Sequence, residues 1–545
     1  MASRERDDAP IDYQALRFDV LPPPAQGGEM PRHPVVVVGA GPVGLSLAID
    51  LAQRGIRVLL LDNDNRLSAG SRAICFAKRT LEIWDRLGVG QHMCDKGVGW
   101  SVGKVYFRDQ PVYRFDLLPE PAHERPAFIN LQQYYAEGFL VERAMALPLI
   151  EIRWRHGVSG VTPQADHVVL HVDTADGAYD LRADYLAACD GSRSSVRSLM
   201  GLETEGRVFR DRFLIADVKM AADFPAERWF WFDPVFNPQQ SALLHTQPDN
   251  VWRIDFQIGW DADPEKEKKP ENVLPRIKAF LAHVADRAVD FTLEWASVYT
   301  FACQRMQHFR HGRVFFAGDS AHGVSPFGAR GANSGVQDAD NLSWKLAAVL
   351  QGRAGNALLD TYGPEREFAA DENIRNSTRA TDFITPKSEV SRLFRDAVLE
   401  LAREHAFARR IVNSGRLSVP ATLRDSALNS ADVDAFEGAM VPGAAAADAL
   451  LMRQGKADWL LREIGPGFTL LVFGPAPAWA AALPVKLVCI DGSALIDSEG
   501  WAARRYDASP GAAYLFRPDQ HVCARWRSPT EAQVRRALDR ALALA

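Results

Sequence analysis

Hydrophobic and polar positions change period several times along the chain. Residues 1–33 carry Pro and Gly (LPPPAQGG) with little apolar periodicity and read as an arm. From Pro34 the pattern tightens. Val35–Val38 is a short, β-branched apolar run, as expected of a buried parallel strand. Leu45, Ala48, Leu51 and Ala52 then recur at helical spacing up to a stop at Gly55, and Arg57–Leu61 reads as a second strand. This strand–helix–strand pattern predicts an α/β fold.

The middle differs in texture. FLIADVKM, RWFWFDP, SALLHTQP and VWRIDFQIGW are aromatic and β-branched runs broken by Pro, Asp and Asn. They predict a mostly antiparallel sheet over 205–305, inserted between segments 34–204 and 306–435 of the first domain. Within the second segment, Arg313–Ala317 reads as a strand. A helix follows over about 332–350, with Val336, Ala339, Leu342, Leu346 and Val349 on one stripe. Charged helical sequence runs from 364 to about 417. Residues 436–545 hold four apolar strands (FTLLVF, VKLVCI, AAYLF, HVCARW) and a closing helix, a small α/β domain.

Composition narrows the function. The 545 residues are 47% hydrophobic with a net charge of −6, so there is ample core material and no basic field to attract nucleic acid. No run of about 18 apolar residues predicts a membrane span, and MASRERDDAP has no apolar signal core. The six scattered cysteines form no C-x-x-C pair. No metal site is expected, and a reducing cytoplasm is.

Two loops carry the chemistry. Gly39, Gly41 and Gly44, with Pro42 between them, fit G-x-G-x-x-G after a strand and before a helix. There the backbone can approach a pyrophosphate, and the helix N-terminus stabilises its charge. Asp62 ends the second strand near the offset at which a carboxylate meets a ribose. This motif alone leaves FAD and NAD(P) both open. Far downstream, Gly318 and Asp319 stand at the carboxyl end of another strand, where a carboxylate can bind a polyhydroxylated chain. Gly331, Ala332 and Asn333 open the next helix, whose unpaired N–H groups suit an electron-rich flavin carbonyl.

Three ordered blocks, GAGPVG with Asp62, ACDGSRSSVR, and AGDSAH…PFGARGANSG…DADNL, resemble the group A flavoprotein monooxygenases, the FAD-dependent aromatic hydroxylases. The resemblance covers about 34–417. It implies a Rossmann-like FAD-binding domain with an inserted substrate-binding sheet, and a thioredoxin-like domain at the C-terminus, without a dithiol. RPDQ (517–520) would turn between two of that domain's strands. By the same resemblance Asp319 binds the ribityl chain, while Gly331, Ala332 and Asn333 hold the pyrimidine edge. Pro326 presents its carbonyl near the reactive flavin carbon, and Arg72 lies beside the flavin. Gln133 reaches the ribityl region, and Asp190 with Gly191 serves FAD and the nicotinamide donor.

The implied activity is hydroxylation of a phenolic ring through a flavin C4a-hydroperoxide, consuming O₂ and NADH or NADPH. A homodimer is compatible. Alternatives are a hydroxylase of a non-phenolic heteroaromatic, a halogenase, or a non-catalytic flavin-binding protein. The halogenase W-x-W-x-I-P pattern is broken here by Asp233. In the inserted sheet, period two puts His245 with Gln247, and Arg253 with Asp255, on shared faces. Arg253 is the candidate to touch flavin or substrate, and His245 to accept the phenolic proton. Asp255 is placed either to orient His245 or to pair with Arg253. Trp231, Phe232, Tyr299 and Phe301 are candidate pocket walls, with core packing the alternative for each.

Overall fold

A computed structural model describes residues 12–24, 30–68, 70, 73–285, 288–412 and 417–544. The apolar run at the start becomes β1 (Arg32–Val38), followed by α1 (Pro42–Gln53) and β2 (Val58–Asp62). These strands pair in parallel, flanked by Gly177–Ala188 on one side and Ile150–Trp154 on the other, and Val314–Phe316 pairs with Gly177–Ala188. Val38 lies level with Ala188, and Ala188 with Phe316. The loops at Gly39, Cys189 and Ala317 therefore leave the sheet at one edge, although they are far apart in sequence.

Two further elements pack against α1. One is β3 (Cys75–Ala77), which runs into α2 (Lys78–Leu87). The other is α3 (Gln133–Met145). β3 pairs with Phe128–Asn130.

The antiparallel sheet draws on more sequence than its aromatic runs indicated. The hairpin β4 (Val102–Phe107) and β5 (Gln110–Asp116) joins β6 (Thr204–Met220), β7 (Arg228–Phe232), β8 (Ser241–Thr246), β9 (Val251–Ile258) and β10 (Phe291–Met306). Their order is β10-β6-β9-β8-β7-β4-β5. The pleat sorts the aromatics. Trp231, Leu244, Ile254 and Phe256 pack beneath the helix Pro270–Val284. Phe213, Phe230, Phe232, Leu243 and Phe301 face the other way, against Phe327.

The long helix α4 (Gly331–Leu350) departs from the amphipathic expectation. Its apolar stripe is buried as predicted up to Leu346, with Val349 half-buried, but Asp338, Asp340, Asn341, Ser343 and Lys345 are buried too. The polar side meets α5 (Tyr362–Ile384) and the C-terminal domain rather than water. That domain has a four-stranded sheet in which Thr469–Phe473 is parallel to Lys486–Ile490 and antiparallel to Ala513–Phe516. Ala513–Phe516 in turn pairs antiparallel with Val522–Trp526. No helix of the described residues is long and apolar enough to cross a membrane.

Candidate functional site: a flavin cradle facing a polar row

The glycine turn is shaped by contact. Gly39 has a φ of +106°, and a side chain there would collide with the Cys189 carbonyl. A Cβ on Gly44 would collide with the Gly39 carbonyl, whereas Gly41 opens onto free space. The turn is therefore closed on its protein side and open on its ligand side, where α1 presents its N-terminus. Asp62 braces it. One carboxylate oxygen accepts from the Ala40 N–H at 2.7 Å and the other from Asp64 N–H at 2.8 Å. Burial raises the Asp62 pKa, opposed by those two N–H donors.

The second loop closes on the first. Gly318 has a φ of +65°. A Cβ on Gly318 would meet Val43 at 2.9 Å, and one on Gly335 would meet Val43 at 2.6 Å. Buried Asp338 pins this loop: it accepts from Gly318 N–H at 2.9 Å, His322 at 2.7 Å and Arg366 at 2.6 Å. Asp319 is left exposed on the loop. It lies within reach of Gly331, where a Cβ would sit 3.9 Å from its Oδ1. Asp190 caps a short helix with Oδ2, accepting from Ser195 Oγ and Val196 N–H, while its Oδ1 is buried with no protein partner.

The remaining predicted cofactor residues divide. Helix geometry leaves the N–H groups of Gly331, Ala332 and Asn333 without intrahelical acceptors. The Asn333 side chain, however, is committed to the protein. It accepts from Ala77 N–H at 2.8 Å and Thr80 Oγ1 at 2.6 Å, and donates to the Cys75 and Ala329 carbonyls. Only its backbone can serve a flavin. Gln133 works similarly, accepting from Ala73 N–H and donating to Ser68 and Glu137. It steadies the loop beside the cradle. Pro326 is exposed on the loop whose Phe327 meets Phe213 edge-on, with ring centres 4.8 Å apart. Arg72 lies outside the described residues.

Across from this cradle, one rung of the antiparallel sheet is polar. His245 pairs with Arg253, Arg253 with Asp217, and Asp217 with Trp295. Arg228 follows on β7, one step beyond the Trp229–Leu244 pair, and is in register with Gly103. Arg253 is held by Asp217, with Nε and Nη2 each 2.8 Å from a carboxylate oxygen, and lies over the Trp295 ring. Asp255 Oδ2 instead sits 3.5 Å from His245 Nε2, while its charge also reaches Arg253. Asn130 ties this sheet to the cradle: it donates to the Thr246 carbonyl and accepts from Trp100 and from Cys75 Sγ. Cys75 in turn touches Asn333 through its carbonyl and feels the charges of Arg228, Arg253 and Asp255.

Burial, and next the charge of Arg228, lower the His245 pKa to about 4. Its Nδ1 has no partner, nor does Asp255 Oδ1. Phe232, Tyr299 and Phe301 lie on this face. Trp231 does not: it points to the opposite side, against Tyr106 and Phe280, because successive strand residues alternate faces. The W-x-W run is thus core packing. Arg228, Asp217 and Asn130 went unread in the sequence. An arginine opening an otherwise aromatic buried strand was the available signal for the first.

A family model described as an FAD binding domain matches residues 32–377. The chain belongs to that family, the group A flavoprotein monooxygenases. It is 30% identical over 542 residues to a 6-methylpretetramide 4-monooxygenase of Streptomyces rimosus, covering 93% of this chain and 92% of that one. It is also 30% identical over 365 residues to a 3-(3-hydroxy-phenyl)propionate/3-hydroxycinnamic acid hydroxylase of Mycolicibacterium smegmatis. That match covers 67% of this chain and 64% of the relative. Among solved structures, the OxyS anhydrotetracycline hydroxylase from Streptomyces rimosus superposes with a TM-score of 0.68 at 26% identity, covering 93% of this chain and 99% of that one. The flavin-dependent monooxygenase PieE, solved with FAD and substrate, has a TM-score of 0.78 at 22% identity and shares the fold; 94% of this chain and 99% of that one are covered.

Proposed function

We propose that this protein is an FAD-dependent, NAD(P)H-consuming monooxygenase that hydroxylates a phenolic ring. The observation that carries this reading is the convergence of the Gly39 and Gly318 loops and the α4 N-terminus opposite a buried His245 with Asp255 beside it. FAD, reduced by NADH or NADPH and reacting with O₂, would supply the oxygen atom. The Gly39–Gly44 turn would take the pyrophosphate, Asp319 the ribityl hydroxyls, and the Gly331–Asn333 amides the flavin's pyrimidine carbonyl.

The chain's own residues then have three tasks. Phe213, Phe301 and Phe327 exclude water from the reacting face. The aromatic walls orient the ring. His245 takes the proton. Its Nδ1 is buried without a partner and can receive the proton, and the low pKa leaves the imidazole unprotonated near neutrality, so the proton is relayed onward rather than held. The phenolic O–H breaks and an Nδ1–H forms. The ionised oxygen then pushes electron density to its ortho and para carbons.

We also read residues 436–545 as a thioredoxin-like domain, on the parallel first pair and antiparallel last two strands of its sheet. The free state of all six cysteines fits a cytoplasmic protein with no dithiol role.

Purified protein should be yellow and should oxidise NADH or NADPH in air faster when a suitable phenol is added, with a product one oxygen heavier. Flavin-loaded protein that oxidises neither donor faster with any member of a broad set of monocyclic and polycyclic phenols would refute the assignment.

A further inference from the structure

We propose that Arg228 is a substrate-binding residue that holds the ionised ring oxygen, so the protein selects phenols and lowers the pKa of the one it binds. This rests on the hydroxylase reading above and assigns it a second polar group.

Arg228 carries an unmatched charge. Arg228 is 4% exposed, and its Nε and Nη1 have no hydrogen-bond partner. Among the described residues no carboxylate forms an ion pair with it. Every other member of the rung is matched: Arg253 with Asp217, and His245 with Asp255. A buried guanidinium without a counter-ion is costly, so such sites ordinarily contain a paired anion.

Its surroundings indicate what that anion is. Arg228 stacks over Phe230 on its own strand, at 4.7 Å. His245 is its cross-strand neighbour, Asp255 and Cys75 are the other titratable groups whose charge reaches it, and Arg253 is already neutralised. An aromatic ring whose hydroxyl meets His245 Nδ1 would bring that oxygen to the Arg228 side of the rung. The proton leaves through His245, and the negative charge left on oxygen lies beside the guanidinium. Orphaned Nδ1 and orphaned Arg228 nitrogens thus complete one site for an O–H group that ionises on binding. No electrons change hands in this step.

The test uses FAD-loaded enzyme without nicotinamide donor and 4-nitrophenol, whose ionised form absorbs in the visible. In the wild type, the bound probe should titrate about 1–3 pH units below its value in water, as an opposite charge at 4–6 Å requires. Arg228→Gln should move that titration up by at least one unit, a tenfold change, and Arg228→Lys should recover part of the shift. Flavin absorbance and melting temperature report whether each variant is folded, and the lysine variant carries the comparison if the glutamine variant is not. Identical titrations in wild type, Arg228→Lys and Arg228→Gln overturn the proposal while leaving hydroxylation standing. So does a loss of affinity confined to phenols bearing a carboxylate with no change in ionisation, since Arg228 would then hold the side-chain anion. Flavin-loaded wild type that binds no phenol defeats the functional assignment itself.

Discussion

His245 shows what a single side chain contributes when two neighbouring strands set its environment. Burial and the charge of Arg228 hold its pKa at about 4, while an unfolded chain returns it to about 6.5. Between those values the unfolded state binds a proton that the folded state refuses. Stability from this group is therefore complete above about pH 6.5 and is lost as pH falls towards 4, by about 3 kcal/mol in all. His245→Gln does not titrate, so denaturant unfolding at pH 4.5 and pH 7.5 should show a smaller pH difference in the variant than in the wild type. An unchanged difference would mean the imidazole is not shielded as described. The same substitution removes the proposed proton acceptor. Turnover with a phenol should fall about 10²–10⁴-fold, and raising the pH towards the phenol's own pKa should restore part of it. The two readouts separate a stability role from a chemical one.

At the scale of elements, what was legible in the sequence is whatever the backbone alone dictates. The β1–α1 turn is an example: a tight left-handed bend at Gly39 and a helix pressed onto the strand at Gly44 need glycine whatever the rest of the chain does. Gly44→Ala would press a methyl group into the Gly39 carbonyl, which belongs to backbone and cannot swing aside. The turn must open, and FAD affinity should drop more than tenfold, measured by flavin fluorescence on titration into apoprotein. Retention of full affinity would show that the turn does not set the pyrophosphate site. The α4 helix was legible in its start and its apolar stripe, and the period-two faces of β8 and β9 followed from spacing. Cross-strand pairing was not legible, because register depends on strands distant in sequence. Asp217 lies 36 residues from the Arg253 it neutralises, so Asp255, nearby on the same strand, stood as one of two readings, a partner for Arg253 or for His245. The hidden face of α4 was missed for the same reason. Its Asp, Asn and Lys residues imitate a solvated surface until the domain that covers them is in place.

That covering domain sets the whole molecule's behaviour. RPDQ is the expected turn between two strands, and it also plugs into the flavin domain. Arg79 donates to the Asp519 carbonyl at 2.7 Å and Arg86 to the Pro518 carbonyl at 3.1 Å. Arg517 bonds both Glu365 of α5 and Asp519, and Lys345 of α4 reaches Glu365 at 2.7 Å. All four side chains are buried. Burial lowers the Lys345 pKa to about 8, while Arg517 and Lys345 hold Glu365 well below the usual carboxylate range. In Arg517→Met, Glu365 would keep only Lys345 and Asp519 only the His521 imidazole at 3.5 Å, a loss of about 3–5 kcal/mol. Converting Glu365 to Gln as well removes one uncompensated charge and should recover part of that loss, which a mere packing defect would not allow. The network grips α4 near its middle, and the same helix carries Gly331–Asn333, the proposed flavin contact, at its N-terminus. Detachment of the C-terminal domain should therefore loosen the cofactor before the flavin domain melts. In urea, release of flavin fluorescence from Arg517→Met should move to lower concentration together with the tryptophan signal, which includes Trp344 at the interface. If the flavin stayed bound through a first tryptophan transition, the C-terminal domain would be a passenger and the coupling through α4 would be disproved.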